Sequence, residues 1–75
     1  MKLKEMRMEK GLTQEQLAEK SGVSVRTIQA YECGLRRIDG ATLETLCRFA
    51  ITLNCRIQDI VEGKRLIQLL NAAKK

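Results

Sequence analysis

The stretch that decides the fold is GLTQEQLAEKSGVSVRTIQAYECG, residues 11–34. It predicts two short helices joined by a tight turn at Gly22. Thr13 opens the first helix with a capping box, because its hydroxyl can accept from the amide of Gln16 while the Gln16 side chain bonds back to the amide of Thr13. Ser24 is a favoured N-cap and opens the second helix. Local hydrogen bonds alone therefore define where both helices begin.

Small and aliphatic side chains fix the angle between these two helices. Ala18 leaves room for only a methyl where they cross, and Gly22 lets the chain turn through a positive φ. Leu17, Val23 and Ile28 fill the wedge between them. This is the layout of a helix-turn-helix, in which one helix supports a second at a steep angle. The alternative, an ordinary helical hairpin without a nucleic-acid role, rarely needs all of these residue types at these spacings.

Helical periodicity continues on both sides of this stretch, and the breaks between segments fall at glycines. The additional helices are predicted over residues 2–10, from between 39 and 42 to about 54, over 57–61 and over 64–75. Helices this short are marginal alone, so their apolar faces must meet one another or a second chain. We expect an all-α five-helix domain over residues 1–63, followed by a helical tail over residues 64–75.

The charge balance of the chain indicates a polyanionic partner. Fourteen Lys and Arg against nine Asp and Glu give the 75 residues a net charge of +5 and a pI near 9.5. Double-stranded nucleic acid is the first expectation and a membrane surface the second. The N-terminal stretch MKLKEMRMEKG has charges throughout and no apolar signal region. We therefore expect a cytoplasmic, nucleoid-associated protein without a membrane segment.

Catalysis and metal binding are poor expectations for this composition. The chain has no histidine, which removes histidine bases, triads and histidine metal sites. Three cysteines, Cys33, Cys47 and Cys55, are an odd number without CxxC spacing and fit neither a disulfide framework nor structural zinc. We expect no enzymatic activity, no cofactor and no bound metal. Cys47 and Cys55 are expected in the core, and Cys33 has only a weak case as a redox-sensitive thiol.

Residues 11–34 resemble the helix-turn-helix of the phage Cro and repressor family, often called Xre-like. The resemblance covers residues 3 to about 61, and LETLCRFAITLNCRIQDI (residues 43–60) is similar to the family's fourth helix, the turn after it and its fifth helix. It implies a lambda-repressor-like five-helix DNA-binding domain whose third helix is the recognition helix. Cys33 departs from the pattern, since an Asn or another polar residue is common there.

The outer arc of the predicted recognition helix carries the base-reading candidates. With Ile28 set inward on a wheel of about 100° per residue, Tyr31 and Glu32 lie on the packed side. The resemblance assigns base reading to Ser24, Val25, Arg26, Gln29 and Ala30. Arg26 can bridge guanine O6 and N7, and Gln29 can pair with adenine N6 and N7. A merely solvated face would carry more Glu and Lys.

Phosphate contacts are expected on both sides of the recognition helix. Gln14 matches the position at which the family anchors a backbone phosphate, and Thr13 lies beside it. Arg36 and Arg37 follow the recognition helix in the next loop and would supply cations on the other side. A charge pair in a loop is often only solvated, so the expectation rests on its combination with Gln14.

Arg7 and Glu32 are predicted to form an ion pair. Each lies four residues after an inward-facing aliphatic residue, so helical periodicity turns both charges toward the core. The family carries an Arg in its first helix bonded to a Glu near the end of the recognition helix, and this sequence matches at both positions. Such a pair fixes the orientation of the reading helix more than it stabilises the fold.

The tail predicts a dimer interface. Its apolar stripe, which the five-helix core does not require, consists of Leu66, Leu69, Leu70 and Ala73. The stripe can fold back onto Leu3 and Met6 of its own chain, or it can pack against a second copy together with Ile57 and Val61. We expect the second copy, because a two-fold interface would separate two recognition helices by about one DNA turn, roughly 34 Å. The predicted interface residues are Ile57, Val61, Leu66, Leu69 and Leu70.

The sequence therefore favours a dimeric, sequence-specific DNA-binding transcriptional regulator, a repressor that binds a pseudo-palindromic operator. Every residue is used by the small helical module and its tail, so ligand sensing would require a regulatory protein partner. The competing class is a protein-interaction or antitoxin-type module that keeps the fold with little DNA binding of its own. Arg26 and Gln29 on the outer arc argue against that class, since an acidic or apolar arc would have favoured it.

Overall fold

The computed structural model describes residues 1–73 and contains five α-helices in that part of the chain. They are α1 (Lys2–Glu9), α2 (Gln14–Ser21), α3 (Val25–Glu32), α4 (Leu43–Leu53) and α5 (Lys64–Ala72). Two single-turn 3-10 helices, Ile38–Gly40 and Ile57–Asp59, precede α4 and follow it. Residues 1–73 contain no strand, so the predicted all-α fold is confirmed. No helix among them is long and apolar enough to cross a bilayer.

The caps that open α2 and α3 form as predicted. The Thr13 hydroxyl accepts from the Gln16 amide at 3.0 Å, and the Gln16 side chain accepts from the Thr13 amide at 2.9 Å. The Ser24 hydroxyl accepts from the Thr27 amide at 3.2 Å. Gly22 turns the chain between the helices with φ of +78°, a left-handed conformation that disfavours residues with a side chain. These local bonds fix where α2 and α3 begin, and Gly22 ends α2 shortly before the start of α3.

The core is aliphatic apart from one aromatic pair. Of the three predicted wedge residues, Leu17 and Ile28 have no exposed surface and Val23 is half-buried against the core. The other members of the core are Leu3, Tyr31, Ile38, Leu46, Phe49, Leu53, Ile60 and Val61. The rings of Tyr31 and Phe49 meet edge to face with centroids 6.3 Å apart and so join α3 to α4.

The first residue of α4 lies outside the buried face of the helix. Leu46, Phe49 and Leu53 are buried, but Leu43 is 69% exposed. At about 100° per residue, Leu43 points roughly 90° away from the centre of that buried face. It is also the first residue of the helix, where the core no longer covers it.

The predicted fifth helix over residues 57–61 is a single 3-10 turn. The Asp59 carboxylate accepts from the Arg56 amide at 2.9 Å and caps that turn. Gly63, predicted to close the segment, instead begins α5, because the Asp39 carboxylate accepts from the amides of Glu62 at 2.8 Å and Gly63 at 2.7 Å. An Asp that binds two backbone amides at a helix start stabilises that start.

The helix α5 packs on its own chain. Leu66, Ile67 and Leu70 are half-buried against the core, and the helix lies on the turn at residues 57–59. The Gln58 side chain donates to that of Asn71 at 3.2 Å. The described part of the predicted tail therefore docks in cis against the second 3-10 turn. Its last two residues, 74 and 75, lie outside the described part of the chain.

This docking changes the set of residues available to a dimer. Val61 was predicted at the interface, but it has no exposed surface because it belongs to the chain's own core. Ile57, Leu66 and Leu70 are half-buried against that core. Leu69 points away from the core and is 60% exposed.

Candidate nucleic-acid interface

The helix α3 lies with one face in the core and the opposite face in solvent. Ile28 is fully buried and Tyr31 is 4% exposed, which fixes the rotation of the helix about its axis. Of the predicted base-reading residues, Ser24, Arg26 and Gln29 are exposed, and Val25 and Ala30 are half-buried. Arg26, Gln29 and Ala30 lie on the outer arc, and Ser24 and Val25 lie at its N-terminal end. The major groove of DNA admits an α-helix.

The hydrogen bonds of Ser24 restrict what it can recognise. Its hydroxyl accepts from the Thr27 amide and donates its only proton to the Thr27 hydroxyl at 2.8 Å. A hydroxyl has one proton and two lone pairs, so an acceptor position remains. Ser24 can therefore accept from a base amino group but has no proton left for a phosphate.

Arg7 and Glu32 meet as a nearly enclosed ion pair between α1 and the end of α3. Arg7 donates through Nε to one carboxylate oxygen of Glu32 at 2.8 Å and through Nη2 to the other at 3.0 Å. Its Nη1 donates to the carbonyl oxygen of Leu12 at 2.7 Å. The two side chains retain 11% and 4% of their accessible surface. The two-pronged geometry fixes the end of α3 relative to α1.

The surroundings of Glu32 keep it ionised. Burial by itself raises the pKa of Glu32, but hydrogen bonds from Arg7 and Gln14, with the positive charges of Arg7 and Lys4, outweigh burial. The pKa therefore lies below its ordinary value of 4.5. An ionised carboxylate only accepts hydrogen bonds, which determines how its neighbours orient.

Gln14 lies at the first position of α2 and joins the ion pair to the outer arc. Its Nε2 donates to Glu32 at 3.0 Å, and its Oε1 accepts from Nε2 of Gln29 at 3.4 Å. Thr13, the other candidate phosphate contact at this end, uses its hydroxyl in the helix cap. The backbone amides in the first turn of a helix have no partner within that helix, so the start of α2 retains donors for an anion.

Arg36 and Arg37 lie on the other side of α3. The Arg36 guanidinium stands over the Tyr31 ring at 5.5 Å from its centroid, within the range of a cation–π contact. The Arg36 amide donates to the carbonyl oxygen of Ala30 at 3.1 Å. Arg37 is exposed. The aromatic contact ties the first cation to α3, while the second extends from the surface of the loop.

Sequence reasoning missed two cations near this surface. Lys4 lines the same open depression as Gln14, Gln29 and Cys33. Arg48 donates to the carbonyl oxygen of Ser21 at 3.3 Å and so ties α4 to the end of α2. Neither contact follows from local spacing, because each joins elements far apart in the chain.

The thiols and carboxylates do not assemble into a metal site in the part of the chain that the structure describes. Cys33 is exposed beside the depression, and Cys47 and Cys55 are half-buried. Burial is the main cause of a raised pKa for the Cys55 thiol, which favours its protonated form.

Comparison with known proteins gives one match. A family model described as helix-turn-helix matches residues 3–60, which is well over half of the chain. No curated protein and no solved structure matches. The match begins at the second residue of α1, includes α2, α3, α4 and both 3-10 turns, and ends before α5. The chain therefore belongs to the Cro/C1-type, Xre-like helix-turn-helix family and is a DNA-binding regulator of that kind.

Proposed function

We propose that this protein is a transcriptional repressor that binds a pseudo-palindromic operator as a homodimer. The observation that carries the proposal is the exposure of Arg26 and Gln29 on a helix whose opposite face is locked in the core. Arg suits guanine and Gln suits adenine, so the arc has donors and acceptors for direct readout. Occupation of a promoter-proximal operator would exclude polymerase without any further domain.

In the proposed complex, residues on either side of α3 contact the DNA backbone. Gln14 and the start of α2 approach one strand, with Thr13 beside them, and Lys4 lies close to the same edge. Arg36 and Arg37 approach the other strand. A net charge of +5 supports this frame by attracting DNA at long range. Such contacts position the protein, while the outer arc specifies the sequence.

The test is selection of binding sites from random DNA, followed by binding assays at several salt concentrations. We expect one preferred site with two related half-sites, and an affinity that falls with salt by a slope of about 0.9 per neutralised phosphate. Arg26→Ala should cost about 1–3 kcal/mol on that site and relax the preference at one base pair. Arg37→Ala is the matched control, since it should weaken binding to all sequences alike.

Two results would contradict this proposal. Selection that returns no sequence preference would remove the function itself. Indistinguishable profiles for Arg26→Ala and Arg37→Ala would remove the division between base reading and phosphate contact. In a dimer, the Arg37 change should also reduce the salt slope by about two, because each copy loses one phosphate contact.

The homodimer is proposed to form through α5. Leu69 is 60% exposed, and the half-buried Ile57, Leu66 and Leu70 leave part of their surface beside it. An exposed leucine beside other partly exposed apolar side chains is a surface that a helix from a second copy could cover.

A second candidate is a protein-interaction or antitoxin-type module. One observation favours it: Leu43 and Ile51 on α4 are 69% and 79% exposed and lie two turns apart on the same helix. A regulatory protein partner could cover them. This candidate predicts weak DNA binding with little sequence preference, which the same selection experiment measures.

We further propose that the protein is not an enzyme and requires no cofactor or metal. The support is its family, whose members act by binding DNA, and the lack of histidine in the sequence. A cytoplasmic location in the nucleoid follows from binding chromosomal DNA. Fluorescence microscopy of a tagged protein, compared with an Arg26→Ala variant, tests that location.

A further inference from the structure

Four side chains form a continuous hydrogen-bonded series from the inside of the protein to the proposed reading surface. Arg7 bonds to Glu32, Glu32 to Gln14, and Gln14 to Gln29. Exposure increases along this series, from the enclosed ion pair through half-buried Gln14 to exposed Gln29. The interior end is charged, and the outer end is a neutral amide.

The charge at the interior end determines the orientation of each amide. Ionised Glu32 can only accept, so the amino group of Gln14 must face it, at 3.0 Å. The carbonyl oxygen of Gln14 then points the other way and requires a donor. Gln29 supplies that donor through Nε2 at 3.4 Å. The reverse orientation of Gln29 would place two carbonyl oxygens against each other.

This orientation matters because the two ends of an amide recognise different bases. With one N–H given to Gln14, the Gln29 amide presents its carbonyl oxygen and its second N–H to the solvent. That pair matches the N6 amino group and the N7 acceptor of adenine. A reversed amide would present two N–H groups, which match the O6 and N7 acceptors of guanine.

We propose that Glu32, acting through Gln14, is a positioning residue that makes Gln29 select adenine over guanine. The inference rests on the proposed function, because it assigns a specificity to the same reading surface. Glu32 touches no base in this scheme. Its negative charge orients the Gln14 amide, and the Gln14 amide in turn orients the neutral Gln29 amide at the surface.

The main test cuts the series at Gln14 and leaves the ion pair intact. Gln14→Met removes both hydrogen bonds of the amide while keeping a side chain of similar length, and thermal melts check its folding. The base pair read by Gln29 is identified as the one whose preference disappears in Gln29→Ala. At that base pair we measure the ratio of affinities for adenine and guanine in matched operators.

We expect the wild-type protein to favour adenine by about fivefold to 150-fold, the range of a good bidentate pair. Gln14→Met should reduce that ratio nearly to the value of Gln29→Ala. Arg37→Ala is the control: it should weaken binding to both operators and leave the ratio unchanged. Adding Gln14→Met to Gln29→Ala should not change the ratio further, because the two residues act in series.

A second variant tests the charge itself. Arg7→Met combined with Glu32→Gln removes both charges and keeps the length of the side chain at position 32, and the new amide can present either end to Gln14. The adenine to guanine ratio should again fall, although Gln14 and Gln29 are unchanged. In the DNA-free protein, the NMR resonances of the Gln29 side-chain amide should shift in Gln14→Met and in the Arg7→Met/Glu32→Gln variant.

The outcomes separate the inference from the function on which it rests. A wild-type protein without sequence preference refutes the proposed function. A wild-type protein that selects adenine through Gln29, with the same ratio in Gln14→Met, overturns the inference alone. A preference for guanine at the Gln29 base pair overturns it as well.

Discussion

Removal of one charge of the Arg7–Glu32 pair should cost a large part of the stability of this domain. Arg7→Met deletes three hydrogen bonds at once, two to Glu32 and one to the Leu12 carbonyl oxygen. In this variant Glu32 keeps only Gln14 as a direct partner. Water cannot replace the lost partners, because only 4% of the Glu32 side-chain surface is exposed. An uncompensated charge in such surroundings costs about 3–5 kcal/mol.

The expected loss is large in comparison with the total free energy of unfolding of the domain. A domain of 75 residues is expected to have a free energy of unfolding of about 4–11 kcal/mol, at 0.05–0.15 kcal/mol per residue. Arg7→Met should therefore remove roughly half of it and lower the melting temperature by more than 10 °C. Changing both residues, Arg7→Met with Glu32→Leu, removes the stranded charge and should return the stability to within about 1–2 kcal/mol of wild type.

Urea unfolding of the wild type, both single variants and the double variant measures this coupling. We expect the double variant to be more stable than Arg7→Met alone, with an interaction energy of several kcal/mol. Additive single effects would show that the two side chains neither share a desolvated site nor depend on each other. Equal m-values across the four proteins would show that the denatured state has not changed.

Three other changes test separate parts of the structure. Because the pKa of Glu32 is lower in the folded state, its contribution to stability is present above pH 4.5 and is lost as the pH falls through the pKa of the folded protein. In thermal melts at acidic pH, Arg7→Met/Glu32→Leu should therefore lose stability less steeply than the wild type. In thermal melts, Gly63→Ala should destabilise the protein by about 1 kcal/mol, because the new Cβ would lie 2.6 Å from the Asp39 carboxylate. Gly40→Ala is the control: its Cβ would meet no atom within 4 Å, so this change should be neutral or stabilising. Leu69→Glu should convert a proposed dimer to monomers in sedimentation experiments without lowering the melting temperature of the monomer, and an unchanged sedimentation coefficient would place the interface elsewhere.

The sequence predicts best those features that arise from neighbours three or four residues apart. The caps at Thr13 and Ser24 are readable because donor and acceptor lie within one helical turn. Gly22 is readable because only a left-handed turn connects two such short helices. The inward faces of α1 and α3 follow from periodicity, which placed Arg7 and Glu32 toward the same interior.

The features that escaped prediction depend on distant parts of the chain. The Asp39 carboxylate meets Gly63 across 24 residues, so no local pattern indicates that Asp39 caps the helix predicted after Gly63. The segment at residues 57–61 has helical periodicity, but only one turn forms, and Val61 turns into the core. The bond from Gln14 to Gln29 spans 15 residues and requires the angle between α2 and α3 to be known first.

The Asp39 carboxylate ties the start of α5 to the part of the chain that precedes α4. The carboxylate lies inside the region that matches the family model, whereas the two amides it accepts from belong to residues beyond the end of that match. One acidic side chain inside the matched region is thus the acceptor for the start of a helix that lies outside it. For protein engineering, this makes the tail a transferable part. A chimera that receives residues 61–73 should seat them in register when its own domain has an Asp at the equivalent position, and should leave them undocked when that position is alanine.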